Sequence, residues 1–235
     1  MKDVQVPLVV DLDGTLLKTD LLAETANNFI TAQPWRVCRV LRWLSAGRVE
    51  LKARLAEAST VDPATLPFNE QLLVWLREEK SKGRRMVLAT ASHHILADQV
   101  VGHLGLFDEV LATQGGINLK AHAKRDALVA RFGEGGFDYV GNDWTDLPVW
   151  RSAAQAHVVG ELKGLVEQVR GLGRPGRDMA GGRPRPAAML LRAMRPHQWV
   201  KNLLVFVPLM TAHRYGEGSS LVNAWWAFTR LEPSP

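Results

Sequence analysis

An apolar run followed at once by two carboxylates is the feature that most limits how this chain can fold. Residues 6–10 read Val-Pro-Leu-Val-Val, and Asp11-Leu-Asp13-Gly-Thr15 comes directly after them. A short, unbroken apolar run of this kind is typical of a strand buried in a parallel sheet. We therefore expect an acidic turn at the carboxyl end of a buried strand, where parallel sheets collect reactive groups.

Strands alternate with helices along residues 1–169, which predicts an α/β fold with a parallel sheet. The second predicted strand ends at Thr90, and a long stretch of helical spacing separates it from the first. No stretch before the acidic turn is apolar for long enough to form a signal peptide, so we expect residues 1–170 to stay in the cytoplasm. Strands are predicted at 6–10, 85–89, 107–112, 137–140 and 157–159.

The paired carboxylates suggest a particular chemistry. A turn at Gly14 lets Asp11 and Asp13 reach one centre, as phosphoryl transfer through an aspartyl-phosphate requires. One carboxylate would attack phosphorus and the other would handle the leaving-group proton, while Mg²⁺ offsets the charge. The alternative is an Asp-rich turn without catalytic function.

Several segments resemble the motifs of the haloacid dehalogenase (HAD) superfamily, in the family's order. Val9-Val-Asp-Leu-Asp-Gly-Thr-Leu16 looks like the first motif, and Val87-Leu-Ala-Thr90 with the nearby Ser92 looks like the second. Lys124, at the start of a predicted helix, best matches the third motif, with Lys120 as the alternative. By this resemblance Thr90 would bond the phosphoryl group and Lys124 would balance charge between phosphate and nucleophile. Capping of the next helix by Thr90 is compatible with this role.

The fourth motif departs from the family's pattern. Tyr139-Val-Gly-Asn-Asp-Trp-Thr-Asp146 has Asn142 where the family usually has Asp, while Asp146 fills the second acidic position. Either Asn142 supplies a neutral oxygen to Mg²⁺ or Asp143 takes its place, and a neutral ligand binds a hard cation less strongly. The alternative is an Asx-rich loop without a metal.

The resemblance, over about residues 6–165, implies a Rossmann-like HAD core at 1–19 and 81–169 with a helical cap at 20–80. It implies a Mg²⁺-dependent phosphohydrolase acting on a small phosphorylated metabolite or phosphosugar. The implied catalytic residues are Asp11, Asp13, Thr90 and Lys124. The implied substrate-binding residues are Gly14, Thr15, Ala91 and Ser92, and the implied metal ligands are Asp11, Asp13, Asn142, Asp143 and Asp146.

Charge is distributed unevenly along the chain. Residues 1–169 hold 19 Lys and Arg against 21 Asp and Glu, a net charge of −2, whereas residues 170–235 hold 10 against 3, a net charge of +7. The basic character therefore belongs to the last part of the chain and gives little support to nucleic-acid binding. The single cysteine, Cys38, excludes an intramolecular disulfide framework.

Residues 170–186 are rich in Gly, Pro and Arg, which predicts a linker. Beyond them, Leu191-Arg-Ala-Met-Arg-Pro-His-Gln-Trp-Val-Lys-Asn-Leu-Leu-Val-Phe-Val-Pro-Leu209 resembles the opening of UbiA-type membrane prenyltransferases. The closest subgroup transfers phosphoribose to a polyprenyl phosphate. The acidic motifs of that family do not follow, so we expect 187–235 to be a truncated, hydrophobic membrane-helix segment without prenyltransferase activity. An interfacial amphipathic helix is the alternative.

Two functions remain open from the sequence. The first is the HAD phosphohydrolase. The second is a catalytically weak accessory domain of a polyprenyl-phosphate system, attached to the membrane through its C-terminal segment and suggested by Asn142 together with the arginine-rich tail.

Overall fold

The computed structural model describes residues 6–59, 61–113, 119–160 and 162–179. Its strands are β1 (Leu8–Val10), β2 (Met86–His93), β3 (Glu109–Thr113), β4 (Asp138–Gly141), β5 (Ala156–Val159) and β6 (Asp178–Met179). Its α-helices are α1 (Leu21–Ala32), α2 (Val37–Ser45), α3 (Arg48–Ala58), α4 (Glu70–Ser81), α5 (His94–Leu104), α6 (His122–Phe132), α7 (Leu147–Ser152) and α8 (Lys163–Arg170). Short 3₁₀ turns occupy Pro34–Arg36, Pro63–Thr65 and Trp144–Asp146.

The six strands form one sheet in the order β3-β2-β1-β4-β5-β6, with every neighbouring pair parallel. The predicted α/β fold with a parallel sheet is confirmed. The chain builds outward from β1 through β2 to β3, then returns to the other side of β1 and continues with β4. This reversal places the crevice for ligands at the carboxyl ends of β1 and β4.

Both faces of the sheet are covered, which explains the unbroken apolar run of β1. Leu8 and Val10 point to one face, where they join a core that includes Leu72 and Leu76 of α4. Val9 points to the other face and joins a core with Leu128 of α6 and Trp150 of α7. Alternate residues of the strand are thus buried on opposite sides, as the period of two requires.

The helical stretch at 20–80, predicted as a cap, divides into two parts in the structure. Helix α4 lies against the sheet and contributes to its core. The preceding helices build a smaller core of their own, in which Phe29 of α1 packs with Leu51 and Leu55 of α3. We therefore expect a cap function from α1–α3, while α4 supports the sheet.

Two backbone hydrogen bonds join the two ends of this insertion. Lys18 N–H donates to the Pro67 carbonyl at 2.9 Å, and Asn69 N–H donates to the Leu16 carbonyl at 2.9 Å. The chain therefore leaves the acidic turn and returns beside it as two adjacent segments.

A buried polar cluster lies at the opposite end of the sheet from the acidic turn. The Arg84 guanidinium donates to Glu79 at 3.0 Å and to Asp138, and all three side chains are at least nine-tenths buried. His157 of β5 lies nearby, with its ring 4.9 Å from that of Trp75 in an edge-on arrangement. Its Nδ1 accepts a hydrogen bond of 2.9 Å from the backbone N–H of Arg177.

The segment predicted as a linker begins at the end of α8 but contains β6, whose two residues pair with Val158 and Val159. Within the described part of the chain, none of the helices has the length and apolar character needed to cross a bilayer. The predicted membrane-helix segment, 187–235, lies outside the described residues.

Candidate active site

The acidic turn begins where β1 ends. Asp11 N–H continues the pairing with β4 by donating to the Val140 carbonyl at 3.0 Å. Gly14 follows with a φ of +77°, and a Cβ built on it would lie 2.3 Å from Asn142 Nδ2. Glycine is thus required here both by the left-handed backbone and by the close approach of the Asn142 side chain. The turn brings the loops after β1 and β4 into contact.

Asp11 lies at the centre of a buried hydrogen-bond network. Lys124 Nζ is 2.6 Å from Asp11 Oδ1, 3.0 Å from the Tyr139 hydroxyl and 3.6 Å from Asp146 Oδ1. The Tyr139 hydroxyl in turn donates to Asp146 Oδ1 at 2.8 Å. The other Asp11 oxygen accepts a long hydrogen bond of 3.4 Å from Thr15 Oγ1. One ammonium group therefore joins the carboxylates that follow β1 and β4.

Asp13 is oriented by three donors from two other elements. Its Oδ1 accepts from the Leu21 N–H at the start of α1, at 2.7 Å. Its Oδ2 accepts from Ser92 Oγ at 2.7 Å and from Thr90 Oγ1 at 3.3 Å. These contacts fix the carboxylate at the carboxyl end of β2, beside Asp11.

Thr90 does not cap the following helix. Strand β2 continues to His93, α5 begins at His94, and Thr90 Oγ1 accepts instead from the Ser92 N–H at 2.9 Å. The strand is longer than predicted because His93 pairs with Thr113 of β3 beyond an irregularity that starts at Ala89. Both hydroxyls of this segment consequently face Asp13.

The loop after β4 is organised by Asp146. Its Oδ2 accepts from the N–H groups of Asn142 and Asp143, each at 3.2 Å, and the Asp143 side chain accepts in return from the Asp146 N–H. A Cβ on Gly141 would come within 2.7 Å of Asp146 Oδ2, so glycine leaves room for this carboxylate. Asn142 is buried, and Asp143 is half-buried at the edge of the crevice.

Burial and repulsion between acids define the electrostatics of the site. Burial raises the pKa of Asp11 to about 7, with the charges of Asp146 and Asp13 adding to the rise and Lys124 opposing it. Burial, together with the charge of Asp20, also raises the pKa of Asp13. Burial disfavours the charged form of Lys124, but the three site carboxylates outweigh it and raise the pKa of that ammonium. The site therefore has more acid than one lysine can balance.

The donor set fits a hard divalent cation that retains water. The loops after β1 and β4 contain carboxylate, amide and carbonyl oxygens, from Asp11, Asn142, Asp143 and the backbone of Asp13, and negative charge is in excess. Among the described residues, no three His, Cys, Asp or Glu side chains form a ready-made metal cage. Mg²⁺ is commonly held by only one or two carboxylates and several waters. Both oxygens of Asp146 accept hydrogen bonds, as do both oxygens of Asp11, so these bonds do not set Asp146 apart from the other candidate ligands.

The insertion also contributes to the site. Lys52 of α3 extends its Nζ to the Ala91 carbonyl at 2.6 Å, between Thr90 and Ser92. The same carbonyl accepts from Thr113 Oγ1 at 2.9 Å. A cationic side chain of the predicted cap thus lies at the rim of the crevice.

All the predicted site residues lie at the end of the sheet where the strands have their carboxyl termini. Lys124 is the lysine that enters the site, whereas Lys120 is exposed. The backbone N–H groups of Gly14 and Thr15 are used within the turn, on the carbonyls of Thr19 and Leu12.

Two residues at the site, Tyr139 and Lys52, were not predicted. Tyr139 has the pattern of an apolar strand residue, and only its position two residues before the Gly of the fourth motif could have drawn attention to it.

Comparison with known proteins agrees with this geometry. The family model described as haloacid dehalogenase-like hydrolase matches residues 8–151, from the first residue of β1 into α7. The matched range contains every predicted site residue and the whole insertion. The chain belongs to the haloacid dehalogenase-like hydrolase family, and the prediction of a hydrolase is confirmed.

One curated relative extends well beyond the matched region. The chain is 38% identical over 207 residues to the uncharacterized protein y4nM of Sinorhizobium fredii. This match covers 88% of the chain but only 40% of y4nM. The chain therefore spans less than half of the length of that relative.

Solved structures share the fold at low sequence identity. A protein of unknown function from Bordetella pertussis Tohama I is 17% identical with a TM-score of 0.55, over 74% of this chain and 99% of that one. A HAD family hydrolase from Salmonella enterica serovar Typhi is 16% identical with a TM-score of 0.51, over 81% and 72%. A substrate-bound phosphoserine phosphatase is 15% identical with a TM-score of 0.50, over 83% and 100%.

Proposed function

We propose that the chain is a Mg²⁺-dependent phosphohydrolase that acts on a small phosphorylated metabolite or phosphosugar through an aspartyl-phosphate on Asp11. The observation that carries the proposal is the arrangement of the two carboxylates. Asp11 is paired with the Lys124 ammonium at 2.6 Å, while Asp13 is held beside it by Leu21, Ser92 and Thr90. This arrangement supports a role for Asp11 as the nucleophile and for Asp13 as the acid and base.

The reaction has two chemical steps. In the first, an Asp11 oxygen attacks phosphorus, the bond from phosphorus to the leaving oxygen breaks, and Asp13 gives that oxygen its proton. In the second, Asp13 takes a proton from a water that attacks the aspartyl-phosphate, which releases inorganic phosphate and restores Asp11. The raised pKa of Asp13, caused by burial and the nearby Asp20, suits a carboxyl group that must carry a proton in the first step.

The other site residues hold the phosphoryl group and the nucleophile. Lys124 offsets charge on the phosphoryl oxygens while it keeps Asp11 in place, and Thr90 and Ser92 present hydroxyls to the same space. The turn at Gly14 and Thr15 and the backbone of Ala91 form the walls. Lys52 stands at the rim, where it would meet the part of the substrate that leaves.

Asp11, the backbone carbonyl of Asp13 and the loop that contains Asn142, Asp143 and Asp146 would hold Mg²⁺. When bound, Mg²⁺ neutralises charge so that an anionic phosphoryl group can approach a carboxylate. The excess acid of the site and the raised pKa of Asp11 support this assignment.

Hydrolysis of an aryl phosphate in the presence of Mg²⁺ tests the nucleophile. We expect Asp11→Asn to remove activity, because an amide cannot form the aspartyl-phosphate. Asp126→Asn, at an exposed aspartate of α6, is the matched control and should act like the parent chain. Full activity in Asp11→Asn would refute the assignment.

A pair of substrates tests the role of Asp13. An alkyl phosphate needs a proton on its leaving oxygen more than an aryl phosphate does, because the alkoxide is the more basic group. Asp13→Asn should therefore lose more kcat on the alkyl phosphate than on the aryl phosphate. Equal losses on both substrates would indicate that Asp13 does not protonate the leaving group.

The second candidate is a weakly catalytic accessory domain of a polyprenyl-phosphate system that includes a UbiA-type prenyltransferase and a membrane attachment. It is favoured by Asn142 in the fourth motif and by the greater length of y4nM. On this alternative the parent chain would release phosphate no faster than Asp11→Asn across a panel of phosphorylated metabolites and phosphosugars. Turnover that depends on both Asp11 and Mg²⁺ would exclude it.

A further inference from the structure

Helix α2 and the turn before it carry an exposed apolar surface within the insertion. Trp35, Leu41 and Leu44 are 54%, 59% and 47% exposed. They fall within ten consecutive residues and, together with the exposed Arg39 and Arg42, form a surface that we call the α2 face. Single exposed apolar residues are ordinary, but a group of this kind marks an interaction site.

The opposite side of the helix explains why these residues are outside. Val40 and Trp43 point inward and pack against the small core of the insertion, where the Trp43 ring lies 5.3 Å from that of Phe29. The helix is therefore anchored through one side, and its apolar character continues around to the solvent side. Folding of the described residues uses only part of the apolar surface of α2.

The chain segment that carries the α2 face has charge of one sign. Residues 25–49 contain four arginines and no aspartate or glutamate. Arg39 and Arg42 form no ion pair with any carboxylate of the described residues. A partner that covers this surface must therefore offer negative charge beside an apolar phase.

We propose that the α2 face binds the surface of an anionic lipid bilayer. Leucine and tryptophan side chains enter the boundary between headgroups and acyl chains, while the arginines meet the lipid phosphates. Three apolar side chains on α2 and the turn before it are few for a stable protein interface, which usually buries about 800 Å² on each partner. Nucleic-acid phosphates would satisfy the arginines but would leave the leucines in water.

This binding does not depend on the proposed phosphohydrolase activity. The link between them is helix α3, which contributes Leu51 and Leu55 to the core behind α2 and extends Lys52 to the Ala91 carbonyl. A bilayer bound to the α2 face would therefore lie against the helices that border the crevice.

The single cysteine of the chain gives a local readout. Cys38 is exposed on α2, so an environment-sensitive nitrobenzoxadiazole probe can be attached there and nowhere else. The full chain is mixed with phosphatidylcholine vesicles that contain or lack phosphatidylglycerol. We expect a blue shift of probe emission with the anionic vesicles alone, weakened by added salt because salt screens the arginines.

Matched variants separate the α2 face from the rest of the chain. Replacing Arg39 and Arg42 by Gln should lower the vesicle partition coefficient about fivefold for each arginine. Replacing Leu41 and Leu44 by Ser should remove the blue shift. The control Val74→Ser/Arg77→Gln, at exposed positions of α4, should leave both measurements unchanged. Thermal unfolding of each variant verifies that it is folded.

Three outcomes would overturn the proposal. The first is that the chain fails to bind anionic vesicles. The second is that it binds while the probe at Cys38 stays in water, which would assign the binding to another segment. The third is that the blue shift appears without vesicles as protein concentration rises, which would make the α2 face a contact between two copies of the chain.

Discussion

His157 should make the fold less stable in mild acid. Burial, together with the positive charges of Arg84 and Arg177, lowers the pKa of this histidine from 6.5 to about 4. The folded protein therefore keeps His157 neutral over a range in which the unfolded chain takes up a proton. Stability is fully present above about pH 6.5 and is lost as the pH falls towards 4.

The magnitude follows from the two pKa values. One pKa unit corresponds to about 1.4 kcal/mol, so the loss approaches about 3 kcal/mol below pH 4 and is about 2 kcal/mol near pH 5. The raised pKa values of buried acids such as Asp11 and Asp138 act in the opposite direction, since protonation favours their folded forms. A comparison of variants is therefore needed to isolate the histidine.

Urea unfolding near pH 7 and near pH 5 measures this effect. His157→Asn keeps an acceptor for the Arg177 N–H but cannot take up a proton. Its free energy of unfolding should change less between the two pH values than that of the parent chain, by about 2 kcal/mol. His103→Asn, at an exposed histidine, is the control and should behave like the parent. An equal pH dependence in His157→Asn and the parent would refute the reasoning.

Three further changes follow from contacts described above. Arg84→Met should lower the free energy of unfolding by about 3 to 5 kcal/mol, because it leaves Asp138 buried without its cation and Glu79 with only the exposed Lys82. Urea unfolding measures the loss, and a loss below about 1 kcal/mol would contradict the prediction. Gly14→Ala should lower the free energy of unfolding by about 1 to 3 kcal/mol and should lower kcat/KM, because φ of Gly14 is positive and the Asn142 side chain must move. An unchanged melting temperature and unchanged turnover would contradict this prediction. Asn142→Asp should lower the Mg²⁺ concentration that gives half-maximal activity, since a charged oxygen binds the cation more tightly. An unchanged Mg²⁺ titration would contradict this prediction.

The sheet and the position of the site could be predicted because their signals are local. The run at 6–10 and the acidic turn lie next to each other in the sequence, and a parallel sheet brings strand ends together. Lys124 could be chosen over Lys120 only through its order relative to the other motifs. The structure gives the physical reason, since Lys124 alone of the two reaches Asp11.

The remaining features depend on contacts between distant segments. Strand β6 joins the sheet through backbone groups, which leave no mark in a Gly- and Pro-rich sequence. Lys52 reaches Ala91 across 39 positions, and helical spacing does not tell which side of α3 faces the sheet. The hydroxyl of Tyr139 is buried, and its bond to Asp146 joins a strand to the loop that follows it, so the sequence pattern of the strand does not reveal this bond. Helical spacing likewise does not tell whether α4 packs against the sheet or within the cap.

The backbone hydrogen bonds between residues 16–18 and residues 67–69 make the insertion an exchangeable module. Everything between those paired segments can grow, shrink or be replaced without lengthening the connection between β1 and the rest of the sheet. One condition limits the exchange, because the first turn of α1 gives Asp13 the N–H of Leu21 at 2.7 Å. A grafted insertion must supply the same donor, so the sequence of this segment can vary only while it preserves that first turn.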